Sequence, residues 1–282
     1  MWRGFDHVLP ERAMSSLREI ASAKELFLNL TLRELRSKYK RSILGWTWSL
    51  LNPLATMVIF TVVFSKLLKI TPDPGDPSGL DIFALFLLCG LLPWNFLSNS
   101  MNGGATALVF NANLVKKVYF PRETLVAANT ASWLFSLWIE MGVLCLALLL
   151  VGNMVLPWLP MVIVLIAIQT VFVLGIALLL ASLNVYFRDT QHLLGILLQL
   201  WFYATPIVYP LKQVQEHVSP TTLRLYEANP MVEFVGAYRN VLYDLRMPSA
   251  GSIAYLVIVS IVSLLVGYLV FSRLEPKLAE EL

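Results

Sequence analysis

The chain has 282 residues, 57% of them hydrophobic and 14% charged, against about 45–50% and about 25% in soluble domains. That excludes a soluble globular protein and reads as an integral membrane protein. The net charge of +3 is too small to argue for a nucleic-acid partner, so where the charges fall matters more than their sum.

Residues 1–21 read as an N-terminal cytoplasmic segment. The opening of the chain holds no apolar core ahead of a small-residue cleavage site, so the first spanning segment is expected to act as its own insertion signal. Residues 22–43 predict an amphipathic helix. Ser22 and Glu25 have capping-box spacing. Leu28, Leu32, Leu35, Tyr39 and Ile43 recur at steps of three and four, while Arg33, Arg36, Lys40 and Arg41 take much of the other surface. After Arg41 the charges stop, Trp46 and Trp48 stand where indole rings prefer the headgroup level, and an apolar run follows. The expectation is one continuous helix, basic along the inner membrane face and apolar where it enters the bilayer. Its spacing fits a docking helix for a partner and a plain juxtamembrane anchor equally well.

Residues 44–272 predict an all-α, polytopic domain with six apolar runs long enough to span: about 44–68, 82–108, 124–151, 158–185, 193–209 and 251–271. The fifth is short and carries Pro206, with Pro210 just beyond, which predicts a broken or re-entrant helix. With the N-terminus inside, fifteen Lys and Arg fall on the inner side and six on the outer, Arg239 among the six. Both termini are then cytoplasmic, with 273–282 as a tail.

Between the spans, residues 71–79 read as an exposed, passive outer loop. Residues 111–123 form an inner loop whose Leu114, Val115, Tyr119 and Phe120 need something to bury them, either the membrane surface or a protein. A tight inner turn holds Arg188 and Asp189. Residues 210–250 mix charge with apolar side chains and predict one or two short surface helices near the outer leaflet. Glu140 falls near the middle of the third span, where a charged carboxylate costs at least about 2.5 kcal/mol. It is expected to be neutral, paired or water-facing, with a functional role or a helix-to-helix bond both open.

Catalytic chemistry is missing. No GxxxxGK[ST] phosphate cradle, GxSxG elbow or HExxH pair occurs. His7, His192 and His217 are scattered, and Cys89 and Cys145 lie in apolar runs as packing residues, so no metal, redox or disulfide site is expected. The residues favour movement of something through the membrane, powered by a docked subunit, over catalysis by this chain.

RELRSKYKRSILGWTWSLLNP, GLLPWNFLSNSMN, NANLVKKVYFPRE, VYFRDT and YATPIVYP, in that order, closely resemble the membrane subunits of ABC transporters that export lipid-linked polysaccharides. The resemblance runs from about residue 24 to the sixth span. It implies a homodimer in the bacterial inner membrane, joined to two copies of a separate ATPase that carries the ATP and Mg; this chain binds no cofactor. It also implies that residues 22–41, with Arg33, Arg36 and Lys40, are the interface helix. Leu114, Lys116, Lys117, Phe120 and Arg122 fall on the coupling segment between the second and third spans, and Arg188 and Asp189 on a second ATPase contact. Residues 210–229 match outer gate helices.

The cargo it implies is a polymer on a polyprenyl-diphosphate carrier, drawn along an aromatic-lined channel. Trp46, Trp48, Phe60, Trp94, Phe96, Trp201, Phe202 and Tyr203 are the candidates, since sugar C–H faces pack on aromatic rings; half of them could instead face lipid or the interfacial belt. The resemblance leans toward members that export a galactan precursor, then O-antigen, then teichoic acid. A small-molecule or drug exporter is the alternative within the transporter class. A membrane enzyme acting on polyprenyl-linked sugars and a passive channel are the readings outside it.

Overall fold

The computed structural model describes residues 24–39, 45, 47–67, 69, 74–118 and 120–281. All regular structure among them is helical. The order is α1 Lys24–Tyr39, α2 Thr47–Phe60 continuing into a π-helical turn Thr61–Leu67, α3 Phe83–Phe110, α4 Ala112–Lys117, α5 Glu123–Leu150, a 3-10 turn Leu156–Trp158 leading into α6 Leu159–Tyr186, and α7 Thr190–Tyr203. Three short helices follow, α8 Leu211–His217, α9 Pro220–Glu227 and α10 Pro230–Arg239, the last passing into a π-helical turn Asn240–Asp244; α11 Ala250–Glu281 closes the chain.

Among the described residues, five helical stretches are long and apolar enough to cross a membrane: Leu50–Leu67, Phe83–Phe110, Glu123–Leu150, Leu156–Tyr186 and Ala250–Pro276. They are the first four expected spans and the sixth. The fifth is different. Its helix α7 has 14 residues, about 21 Å at 1.5 Å per residue, and after Tyr203 the chain continues through buried Thr205, Pro206, Ile207 and Val208 without helix. Pro206 accounts for the stop, because its ring excludes an α conformation at the preceding residue and it lacks the N–H for the next helical bond.

α3 is the central helix, packed against α5, α6 and α10. Phe96, Leu97, Leu137, Leu144, Leu165 and Ile166 belong to the main core around it. α6 and α11 pack closely along their lengths because each has a glycine at the crossing. A Cβ added to Gly267 would run into the Gly175 carbonyl, and one added to Gly175 into the backbone of Ser263 and Leu264. Ser263 donates from its hydroxyl to Phe172 O at 2.8 Å across the same seam. Small residues at an interhelical contact let backbones approach and gain dispersion where lipid gives no hydrophobic drive.

Four expectations need correction. The basic helix and the first span are not one helix: Gly45 has φ +49, and a new helix opens at Thr47. A left-handed residue cannot sit inside a right-handed helix, and glycine adopts that conformation at least cost. Ser22, Lys40, Arg41, Ile43 and Trp46 lie outside the described residues. The outer loop is not passive where described. Ser78 donates from its amide to Asp244 O at 3.2 Å and from its hydroxyl to Tyr243 O at 2.6 Å, and Gly75 and Leu80 are buried. The region 210–250 holds more than the one or two short surface helices expected: α8 and α9 are those, but α10 and its π-helical turn bury Phe234, Val235, Tyr238, Val241 and Leu242. The last residues are not a separate tail, since α11 runs on to Glu281 with Leu278 fully buried.

Candidate functional site

A groove of about 380 Å³ opens between α2, α3 and α7. α3 supplies Leu91, Trp94, Asn95, Ser98 and Asn102, α7 supplies Gly195, Leu198, Gln199, Phe202 and Tyr203, and α2 supplies Thr56 and Phe60. Steps of four, three and four put Leu91, Asn95, Ser98 and Asn102 on one face of α3. Asn102 stays on that face by donating from Nδ2 to Ser98 O at 2.8 Å.

The rings form one cluster. Phe202 stacks on Phe60 at 6.2 Å, meets the Trp94 ring at 5.5 Å in an edge contact, and touches Tyr203 at 5.3 Å. Trp201 meets Trp94 edge-on at 6.0 Å and stands behind the groove. Four of the eight predicted path aromatics, Phe60, Trp94, Phe202 and Tyr203, are therefore brought together, with Trp201 backing them. Phe96 is not among them: it is buried in the chain's own core. Trp48 is 45% exposed on α2 and does not line the groove, and Trp46 lies outside the described residues.

The groove is tied to the segments that follow it. The Trp201 indole donates from Nε1 to Asn229 Oδ1 at 2.7 Å, the same oxygen that accepts from Met231 N at 3.0 Å and caps α10. The Asn229 amide donates onward to Ala204 O at 3.1 Å and Thr205 Oγ1 at 3.2 Å. Tyr209 donates to Tyr203 O at 2.6 Å and shares a 3.1 Å hydroxyl contact with Tyr226 of α9. At the end of α10, Arg239 is buried, and its guanidinium donates to Phe86 O, Pro206 O and Ile207 O while lying over the Phe86 ring. The carbonyls of Pro206 and Ile207, buried and outside any helix, thus find a donor, which buried backbone requires.

At the other end of α3, α4 and the α6–α7 turn form a surface with α1. Arg33 is exposed, pairs with Glu34 at 2.8 Å and donates to Asn111 Oδ1 at 2.7 Å, which fastens α1 to the start of α4. Arg36, Lys116, Lys117, Arg188 and Asp189 are exposed, and Leu114 is half-buried. Phe110, Val118 and Phe187 are exposed apolar side chains on the same connections, Phe110 at 80%. Phe120 is different from its neighbours: it is buried with Leu30, Val115 and Leu278 in the chain's own inner cluster, so it already has its partners. Arg122 donates to Glu275 O, tying α11 to this surface. Lys40 lies outside the described residues.

Glu140 lies at one end of an apolar cavity of about 300 Å³ between α2, α3 and α5, lined among others by Leu54, Met57, Leu88 and Leu144. Seven residues earlier on the same face of α5, the Trp133 ring carries the Lys38 ammonium 3.2 Å from its centre. Burial pushes the Lys38 ammonium down to about 7, while the Glu34 and Glu140 carboxylates pull it back up. Glu140 therefore has a cation within electrostatic reach, supplied by α1. Among the described residues no group of three His, Cys, Asp or Glu side chains comes together to hold a metal ion.

The family model described as ABC-2 type transporter matches residues 25–243. The chain belongs to the ABC-2 type transporter family. This ABC-2 chain is 34% identical over 271 residues to an O-antigen export system permease protein RfbA of Myxococcus xanthus, covering 94% of the chain and 98% of the relative. It is 26% identical over 257 residues to a protein of the same name from Klebsiella pneumoniae, at 91% and 94% coverage. A polysialic acid transport protein KpsM of Escherichia coli is 25% identical over 260 residues, at 87% and 92% coverage.

Several residues of this ABC-2 site escaped the sequence reading. Asn95, Ser98 and Asn102 were visible as polar residues at helical spacing inside an apolar span, a signal for a face turned from lipid. Gln199 repeats it on α7. Asn229 and Arg239 gave no such signal, because the groups that hold them lie about 25 to 150 residues away.

Proposed function

We propose that this chain is the membrane subunit of an ATP-driven exporter carrying a polyprenyl-diphosphate-linked polysaccharide, a galactan, O-antigen or similar glycan, across the bacterial inner membrane. The observation that carries the reading is the groove between α2, α3 and α7, where rings for sugar C–H faces stand beside amides and hydroxyls for sugar hydroxyls. The relatives' names, O-antigen export permease and polysialic acid transport protein, support the same class of cargo.

The working unit is a dimer of this chain with two ATPase subunits, which hold the ATP and Mg. Support for a second copy comes from α7, whose Leu193, Ile196, Leu197 and Leu200 form an exposed apolar stripe beside the groove. Support for the ATPase comes from the basic and apolar groups exposed together around α4 and the α6–α7 turn, a composition suited to an interface core with a charged rim. That surface faces the cytoplasm, as do both termini.

Depleting the protein from its native cells tests this. A lipid-linked glycan is expected to accumulate on the inner leaflet, and its identity names the cargo. Normal glycan at the cell surface after depletion, with loss of efflux of a small molecule, would replace this reading by the small-molecule exporter.

A further inference from the structure

We infer that the glycan this chain carries is uncharged along its repeating units, an inference that rests on the export reading above and narrows its substrate. Among the described residues that line the groove, none carries a charge at neutral pH. Its polar groups are the amides of Asn95, Asn102 and Gln199 and the hydroxyls of Thr56, Ser98 and Tyr203. Each can both donate and accept, which matches sugar hydroxyls, themselves donors and acceptors. The remaining wall is Trp94, Phe60 and Phe202, suited to the apolar faces of pyranose or furanose rings.

A polyanionic glycan sets a different demand. Polysialic acid, the cargo named for the Escherichia coli relative, has a carboxylate on every unit. Moving such a chain past a wall within the spanning helices takes each carboxylate out of water, which is strongly unfavourable unless Lys or Arg takes over the solvation. Nothing in this wall does so. Arg239 follows the groove in the chain but is buried, with its guanidinium donating to three carbonyls and covering Phe86. The exposed cations among the described residues stand outside its lining, including Arg33, Arg36, Lys116, Lys117 and Arg188 around α1, α4 and the α6–α7 turn and Lys66, Lys69, Lys212, Arg224 and Arg246 on other segments. The groove accordingly discriminates by leaving an acidic sugar unsolvated.

The test uses the full-length chain in lipid nanodiscs, titrated with a neutral galactose hexasaccharide and with a sialic acid hexamer, and read by intrinsic tryptophan fluorescence. The neutral probe is expected to bind at least fivefold more tightly. Asn95→Leu should weaken it several-fold with the melting temperature unchanged, and Asn102→Lys, on an exposed position, should strengthen binding of the acidic probe. A preference below fivefold, or in the other direction, overturns the neutral-glycan inference and leaves the export reading standing. Failure of both probes to bind overturns the groove as a glycan path, and with it the export reading that it carries.

Discussion

The guanidinium carbon of Arg239 lies 3.6 Å from the centre of the Phe86 ring, so the end of α10 is held to the start of α3 by a cation stacked on an aromatic face. The contact brings together segments more than 150 residues apart in the chain. With the Pro206 and Ile207 carbonyls that Arg239 also meets, it fixes the non-helical chain that follows α7.

Replacing Arg239 should therefore cost more than a charge. Lysine is a point donor without the guanidinium fork and leaves at least one of the non-helical Pro206 and Ile207 carbonyls unmet, at about 1–3 kcal/mol; methionine leaves both. Arg239→Lys is expected to lower the melting temperature in detergent and Arg239→Met to lower it further. Melting of both variants at the wild-type temperature would contradict this role.

The Gly175–Gly267 contact predicts a packing defect. A methyl at Gly267 must push α11 away from α6, at a cost of about 1–3 kcal/mol as for other overpacked sites. Gly267→Ala should melt earlier than wild type, whereas Gly142→Ala, where an added Cβ meets nothing within 4 Å, should not. The comparison is made by thermal scanning of the two purified variants.

Around α1, α4 and the α6–α7 turn, two kinds of substitution should separate. Phe120→Asp puts a carboxylate into a buried cluster and is expected to cost at least about 3–5 kcal/mol of folding stability. Reversing the exposed charges, as in a Lys116→Glu, Lys117→Glu and Arg188→Glu triple variant, should leave melting unchanged and weaken ATPase co-purification at least about tenfold, most at low salt. Retention of the ATPase by the triple variant would show that these cations do not face it.

In the groove, Tyr203 and Gln199 are the clean probes of transport, because both side chains are exposed. Each alanine substitution is expected to slow glycan delivery per ATP in reconstituted vesicles by about two- to tenfold, the loss of one weak contact of about 0.5–1.5 kcal/mol, and the pair should slow it further. Trp94→Ala would confuse the result, since removing a buried ring costs about 3–5 kcal/mol of packing. Complete loss at Tyr203 alone, with Gln199 silent, would point to a single deep binding site.

Lys38 and Glu140 predict a double-mutant cycle. Glu140→Gln keeps the shape and a polar group and should be tolerated. Glu140→Leu leaves Glu34 as the remaining counter-charge of the Lys38 ammonium and should destabilise, and adding Lys38→Met should recover part of the loss. Additive melting shifts would mean that the two groups do not sense each other.

Much of this was readable before the structure because bilayer thickness dictates it. A run of about 20 apolar residues has few alternatives to spanning, so four of the first five spans and the sixth stood out, and Pro206 marked where the fifth breaks. What escaped depends on contacts between distant segments. Phe120 and Lys116 share one short loop, yet the first is buried because Leu30 and Leu278 happen to cover it. Arg239 counted as an outer-surface charge because no spacing rule connects it to Phe86 O or Ile207 O. Gly45 was passed over inside an otherwise convincing helical pattern, where a single positive φ outweighs the periodicity of its neighbours.

The brevity of α7 has a consequence for the cost of transport. A hydrocarbon core is about 30 Å thick, whereas the helix at this wall is about 21 Å long and is followed by non-helical chain whose carbonyls are held by Arg239. A wall shorter than the hydrocarbon core draws headgroups and their water toward it, so on the proposed path a hydrophilic cargo meets water near Tyr203. On that path a sugar chain leaving the rings of the groove is rehydrated before it has travelled the full thickness of the bilayer.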